Sequence, residues 1–291
     1  MQDFTVSNDL LLDQTALRGR AAEDGYLFFR GLIDIDRLYA LRRKLLALCM
    51  EAGWLNPGTD TMLGIAAEGF ALFEGNPAYM AVYNRVMKLE AFHGFAHQPA
   101  LLSMLDSLFG ERTLVHPRNI ARIVFPRLTA HTTPAHQDFI HIQGTEETWT
   151  AWIPLGDCAR DLGSLAILAG SHKNGLYAVQ PSLGAGGLKI DTDSLPYTWV
   201  ASDFAAGDVV LFHSLTVHRG LPNKSQDRLR LSVDYRYQPM SHPVVADSLL
   251  PHYAQVTWDE VYADWISDWY QYYWRDMPLN VVERKSRAAG Y

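Results

Sequence analysis

A chain of 291 residues, 48% hydrophobic and 20% charged, carries enough apolar material for one large core and reads as a single globular domain over 1–291. Its formal net charge of -7, without a basic run, argues against nucleic acid as a partner, and no stretch reaches the length of a membrane span. Two cysteines far apart in sequence, Cys49 and Cys158, exclude a disulfide framework or a cysteine-rich zinc site and are expected to be buried thiols.

Residues 10–110 read as mainly helical, with one strand at 26–30. Within 35–49, Leu38, Leu41, Leu45 and Leu48 recur three and four apart and predict an amphipathic helix. From 112 to 240 the signals turn to short strands, expected at 113–115, 120–125, 139–142, 149–154, 165–168, 208–212 and 229–237. This series predicts a β-rich α+β fold, a double-stranded β-helix (jelly roll, cupin-like) core with N-terminal and C-terminal helices packed around it. The Gly- and Ser-rich stretch 177–200 reads as a loop and a candidate lid. Along 229–237, Arg230, Ser232 and Asp234 alternate with Leu231, Val233 and Tyr235, so Arg230 and Ser232 share one face of a strand. In the last segment, 253–277, Trp258, Tyr262, Trp265, Trp269 and Tyr272 fall at helical spacing. They predict an aromatic helix lying on the core, on a second copy in a homodimer, or over the substrate pocket.

The chemistry concentrates in two segments. His136-Gln137-Asp138 follows Thr132-Thr133-Pro134, and on an extended strand His136 and Asp138 project from one face and offer a nitrogen and an oxygen to one ion. A His-x-Asp triplet alone arises about once by chance in a chain of this composition, so its context decides. About eighty residues on, Gly207-Asp208 opens the apolar run 209–213, with His218 just past it. If the fold brings His218 alongside, two imidazoles and one carboxylate form the set that holds non-haem Fe(II) with open positions for O2 and a cosubstrate. His131, His141, His172 and His213 are read as hydrogen-bonded structural histidines.

With these motifs in order, the chain resembles the phytanoyl-CoA dioxygenase family of Fe(II)- and 2-oxoglutarate-dependent oxygenases. The resemblance rests on Asp24-Gly25-Tyr26-Leu27-Phe28-Phe29-Arg30-Gly31, the His136-Gln137-Asp138 triplet, Trp149-Thr150-Ala151-Trp152-Ile153-Pro154-Leu155, Gly163-Ser164-Leu165 leading to Gly170-Ser171-His172, and the stretch from His218 to Pro239. It implies that His136, Asp138 and His218 bind iron as the catalytic set, and that Arg230 holds the distal carboxylate of 2-oxoglutarate, with Arg228 as a competitor two positions away. It further implies that Ser232 is a second donor to that carboxylate, and that Thr133 and Trp152 line the cosubstrate pocket. A guanidinium suits this task because its planar fork grips a carboxylate through two charge-assisted hydrogen bonds.

The implied reaction consumes O2 and 2-oxoglutarate, releases succinate and CO2, and oxidises a small molecule. Halogenases resembling this pattern carry Ala or Gly where this chain has Asp138, so hydroxylation is the expected outcome. The stretches 153–170 and 230–239 resemble the bacterial natural-product tailoring branch. Alternative expectations are an acyl-CoA hydroxylase of the phytanoyl-CoA type, a catalytically silent binding protein on the same fold, and a zinc hydrolase that would give Arg230 no purpose. The segment Met1-Gln2-Asp3-Phe4-Thr5 lacks a basic stretch followed by an apolar one, so a cytoplasmic location without membrane partners is expected.

Overall fold

The computed structural model describes residues 1–285. Its first part is a helical layer whose boundaries are written in the sequence. Helix α1 (Gln14–Asp24) opens on Asp13, whose side chain accepts from the Ala16 N–H, and closes on Gly25 in the left-handed conformation. Gly25 leads directly into strand β1 (Tyr26–Phe29). Helix α2 (Ile35–Glu51) is capped by Asp34, and its Leu38, Leu41, Leu45 and Cys49 are fully or almost fully buried. Helices α3 (Pro77–Val86), α4 (Glu90–Gly94) and α5 (Pro99–Phe109) follow, with Pro at the start of α3 and α5 and Gly110 ending α5.

Next come strands β2 (Thr113–Val115) and β3 (Ile120–Val124), helix α6 (Phe139–Ile142), and strands β4 (Trp149–Pro154), β5 (Leu165–Leu168), β6 (Gln180–Pro181), β7 (Leu188–Lys189), β8 (Trp199–Val200), β9 (Val209–His213), β10 (His218–Gly220) and β11 (Arg230–Pro239). A six-stranded antiparallel sheet runs in the order β1-β9-β4-β11-β2, with β3 also paired to β11. A three-stranded sheet, β10-β5-β8, stands apart from it. Side-chain alternation divides the large sheet between two cores. Leu27, Phe29, Ala151, Ile153, Leu231, Val233 and Tyr235 pack with the helical layer, whereas Tyr26, Phe28, Trp152, Val210 and Phe212 pack with Leu165 and Ile167 of the small sheet. The fold is mixed α and β with antiparallel sheets, and the space between the two sheets is where polar side chains collect.

Two expectations are corrected. Phe139–Ile142 is a short helix rather than a strand: Asp138 already has helical φ and ψ, and the Phe139 N–H donates to the Ser214 carbonyl instead of to a sheet ladder. A four-residue apolar run has no periodicity to separate the two forms. The C-terminal aromatic segment is helical only over α7 (Trp258–Tyr262), after which it folds back on itself. Trp258 stacks on Tyr262 with ring centroids 5.3 Å apart, and Tyr262 meets Tyr272 at 4.9 Å, so the stripe is satisfied by local aromatic packing. Residues 263–276 are rich in Asp, Trp and Tyr, weak helix formers that do not extend α7 alone. After β11 a short parallel pair, β12 (Val244–Val245) and β13 (Val281–Val282), ties this segment down. Among the described residues no helix is long and apolar enough to cross a membrane.

Gly25 joins the helical layer to the site. Its carbonyl accepts from the His213 N–H and the Thr216 hydroxyl, its φ is +71°, and a Cβ there would lie 2.3 Å from His172 Nδ1 and 2.6 Å from Thr216 Oγ1. Gly25→Ala is expected to cost more than about 1 kcal/mol of stability, from the left-handed backbone and the clash together. Chemical denaturation measures this, and an unchanged midpoint would contradict it.

Buried histidines make a second prediction. Burial pushes the His93, His97 and His116 imidazoles down to about 4. Between that value and the ordinary 6.5 the unfolded chain binds protons that the folded chain refuses, so stability rises with pH across this window and is lost as pH falls through it. Urea melts from pH 7 to 4.5 should show a loss on the order of 2 kcal/mol for each fully buried imidazole. A flat profile would mean that these rings are protonated in the folded state.

Candidate metal centre and cosubstrate pocket

His136 and His218 come from separate segments but share two backbone hydrogen bonds. Each residue's N–H donates to the other's carbonyl at 3.0 Å, an antiparallel bridge. Their rings lie with centroids 4.2 Å apart. His136 Nδ1 lies 2.8 Å from the Pro134 carbonyl and His218 Nδ1 lies 3.0 Å from the Thr216 carbonyl. A carbonyl can only accept, so each Nδ1 carries the proton and each Nε2 presents a lone pair.

Both lone pairs meet Asp138. Its Oδ1 is 3.6 Å from His136 Nε2 and 3.8 Å from His218 Nε2, and the ligand atoms of all three residues lie within 4.8 Å of one another. Asp138 Oδ2 accepts from the Thr150 hydroxyl at 2.6 Å, which fixes the carboxylate plane. Burial would raise the Asp138 carboxyl, but Arg236, 3.5 Å away, holds it well below the usual carboxylate range. Burial, reinforced by the neighbouring His136, pushes the His218 imidazole down to about 3, so its ring is neutral. Two imidazole Nε2 atoms and one anionic carboxylate, all buried, can hold a divalent transition metal from one side.

The same cavity is lined by Thr133, Trp152 and Arg230, the positions expected from the sequence. Arg230 is buried; its Nη1 donates to Ser232 Oγ at 2.6 Å, and its Nε has no partner. Ser232 therefore accepts from Arg230 and keeps its own hydrogen to donate. The Arg230 guanidinium sits 5.8 Å from the centre of the Trp152 ring. Arg228 is exposed, which removes it as a competitor. An unpartnered buried guanidinium N–H is costly unless an anion completes it.

Sequence reasoning missed three residues that shape this cavity. Arg236 continues the alternation of Arg230, Ser232 and Asp234 along β11, and extending the pattern by two positions would have found it. Thr150 pairs with Arg236 in the register of β4 and β11. Arg122 lies opposite Ser232 on β3; nothing in the sequence around it marked it. Beyond Arg122 and Thr133 the cavity continues into an outer cleft of ≈ 240 Å³. Its walls include Leu72, Phe73, Val124 and Leu128, with Leu183 and Gly184 from the tip of the hairpin β6–β7. His131 stacks on Phe73 with ring centroids 3.7 Å apart and belongs to this cleft rather than to the core. Part of the candidate lid 177–200 thus lines the outer cleft, whereas the aromatic segment 258–274 docks between α3 and α4 through Trp265, whose Nε1 donates to the Lys88 carbonyl.

Comparison with known proteins agrees with this geometry. The chain is 28% identical over 265 residues to a 1-deoxypentalenic acid 11-beta-hydroxylase of Streptomyces arenae, covering 86% of this chain and 89% of the relative. Among solved structures it resembles in fold the non-heme alpha ketoglutarate dependent carbocyclase SnoK from nogalamycin biosynthesis, with a TM-score of 0.55, 21% identity, and coverage of 84% of this chain and 89% of that one. It also resembles the epimerase SnoN, crystallised with Fe3+ and alpha ketoglutarate, with a TM-score of 0.51, 19% identity, and coverage of 79% and 85%. The sequence pattern of the family described as phytanoyl-CoA dioxygenase matches residues 21–231. The chain belongs to the phytanoyl-CoA dioxygenase family of Fe(II)- and 2-oxoglutarate-dependent oxygenases.

Proposed function

We propose that this oxygenase hydroxylates a small, largely apolar metabolite in natural-product biosynthesis, with His136, Asp138 and His218 holding iron and Arg230 holding 2-oxoglutarate. The observation that carries the reading is the convergence of three ligand atoms within 4.8 Å beside a buried guanidinium whose Nε lacks a partner. The relatives named as hydroxylases of 1-deoxypentalenic acid support a small-molecule substrate, and so does a cleft of ≈ 240 Å³, which suits a compact body better than a coenzyme A thioester. We read the two facing sheets as a double-stranded β-helix, with the whole chain as one oxygenase domain working in the cytoplasm.

Bound Fe(II), with O2 and 2-oxoglutarate, supplies the oxidation: the cosubstrate leaves as succinate and CO2, and one oxygen atom enters a substrate C–H bond. The chain's own residues do the positioning. The Pro134 and Thr216 carbonyls keep both Nε2 lone pairs aimed inward, and Thr150 and Arg236 keep Asp138 anionic and oriented. Arg230 takes the distal carboxylate of the cosubstrate in the fork left open at Nε, while Ser232 braces the guanidinium and donates its remaining hydrogen. Thr133 and Trp152, which line the same cavity, would form the walls of the cosubstrate's place. The apolar walls of the outer cleft, Leu72, Phe73, Val124 and Leu128, would take the apolar body of the substrate.

Each of His136→Ala, Asp138→Ala and His218→Ala should lower Fe(II) affinity by roughly tenfold or more while circular dichroism stays unchanged, because one of three protein ligands is lost. Retained iron in His218→Ala would remove that residue from the set. Arg230→Ala should leave iron binding intact and raise the 2-oxoglutarate requirement by an amount equivalent to about 2 to 5 kcal/mol, since a buried carboxylate loses its charged partner. Succinate release as a function of 2-oxoglutarate concentration reads this, and a normal requirement in the variant would relocate the cosubstrate site.

A further inference from the structure

The roles above leave a cation beside the site, Arg122, unassigned. Arg122 is shared, with Thr133, by the metal cavity and the outer cleft, and so stands at the throat between them. Two carboxylates compete for it. Its Nε lies 3.5 Å from Asp234 Oδ2, and its Nη1 donates to Glu74 Oε2 in a close ion pair. The other oxygen of Glu74 accepts from the Tyr253 hydroxyl.

The two carboxylates differ in how they are held. Asp234 is fixed in the middle of β11, paired on both sides. Glu74 sits in an irregular segment between α2 and α3, beside Gly75 and five residues after Gly69. Both glycines have positive φ and open space where a Cβ would stand, so no packing pins the segment at these points. Burial, with Asp234 nearby, pushes the Glu74 carboxyl up to about 8, so holding a carboxylate in this place is costly. Tyr253 and Ala254 are held at φ of 65° and 49°, a left-handed conformation that side-chain-bearing residues avoid and that marks sites where function maintains strain.

We propose that Glu74 is an internal stand-in for a substrate carboxylate: a compact monocarboxylic acid displaces it, and Arg122 with Tyr253 then holds the acid while its apolar body fills the outer cleft. The proposal deepens the reading of the chain as a small-molecule oxygenase and rests on it. Exchange of one carboxylate for another keeps the buried guanidinium paired, so binding gains the burial of the apolar body without an electrostatic penalty. A neutral ester of the same shape cannot make this exchange, because it would leave Arg122 short of an anion. Acid-over-ester selectivity is therefore a property of the Arg122 and Glu74 pair and is independent of the iron ligands.

The test is calorimetric binding of adamantane-1-carboxylate and its methyl ester to the full chain, loaded with Fe(II) and 2-oxoglutarate under argon and again without metal. The wild type is expected to prefer the acid by roughly tenfold or more. Arg122→Gln should erase the preference, and Glu74→Gln should tighten the acid while leaving the ester unchanged. Tyr253→Phe should weaken the acid alone, which keeps the test available if Arg122→Gln does not fold. Equal binding of acid and ester to the wild type, weaker acid binding in Glu74→Gln, or no binding of either probe overturns the proposal. The metal-free arm separates this outcome from the enzyme reading, which fails on iron and succinate measurements instead.

Discussion

Two backbone hydrogen bonds between His136 and His218 govern the rest of this site. They bring together segments about eighty residues apart in sequence and set the facing imidazoles in one orientation. Each ring is then aimed by the same local device, an Nδ1 proton on the carbonyl two residues earlier in the chain. A backbone bridge does not depend on rotamers, so the spacing of the two Cα atoms is decided by the main chain, and the Nδ1 contacts then orient the rings. This is the preorganisation that a metal centre requires of its ligands. Asp138 enters from the same bridge by one turn of chain, and Thr150 and Arg236 complete its surroundings from β4 and β11.

The interior between the sheets is crowded with charge. Arg122, Arg230 and Arg236 face Asp138 and Asp234, with Glu74 at the throat. Burial pushes the Arg230 guanidinium down and the Asp234 carboxyl up, and Nε of both Arg230 and Arg236 lacks a partner. Such groups would be a liability in a core selected for stability alone, where apolar replacements of similar volume are often neutral or better. Their presence is intelligible if a dianionic cosubstrate and a divalent metal complete the balance. The local rules of packing give way here to those of a binding site.

Much of this was legible in the sequence, for identifiable reasons. The apolar stripe of α2 and the alternation of β11 are strong local signals, and the fold uses both. The alternation placed Arg230 and Ser232 side by side, as found. The grouping of His136 with Asp138 was right for the wrong reason: the chain does not continue as a strand but turns from a bridge into α6, and the turn, not the pleat, brings Asp138 round to the histidines. Phe139–Ile142 and the aromatic C-terminal segment were misread because a short apolar run and an aromatic stripe both describe burial without specifying the backbone that achieves it. Arg122 was illegible, since its role depends on cross-strand register with Ser232, which no single sequence displays.

The central claim is that the bridge between the histidines and the inner face of β11 form one centre, in which a metal and 2-oxoglutarate bind together. It is tested most directly by titrating the Fe(II)-loaded protein with 2-oxoglutarate under argon and following the visible charge-transfer absorption that appears when a 2-oxo acid chelates ferrous iron. The account predicts a band that saturates at one 2-oxoglutarate per chain, absent in His218→Ala and shifted to much higher concentration in Arg230→Ala. Tight iron binding with no band in the wild type, or an identical titration in Arg230→Ala, would contradict it.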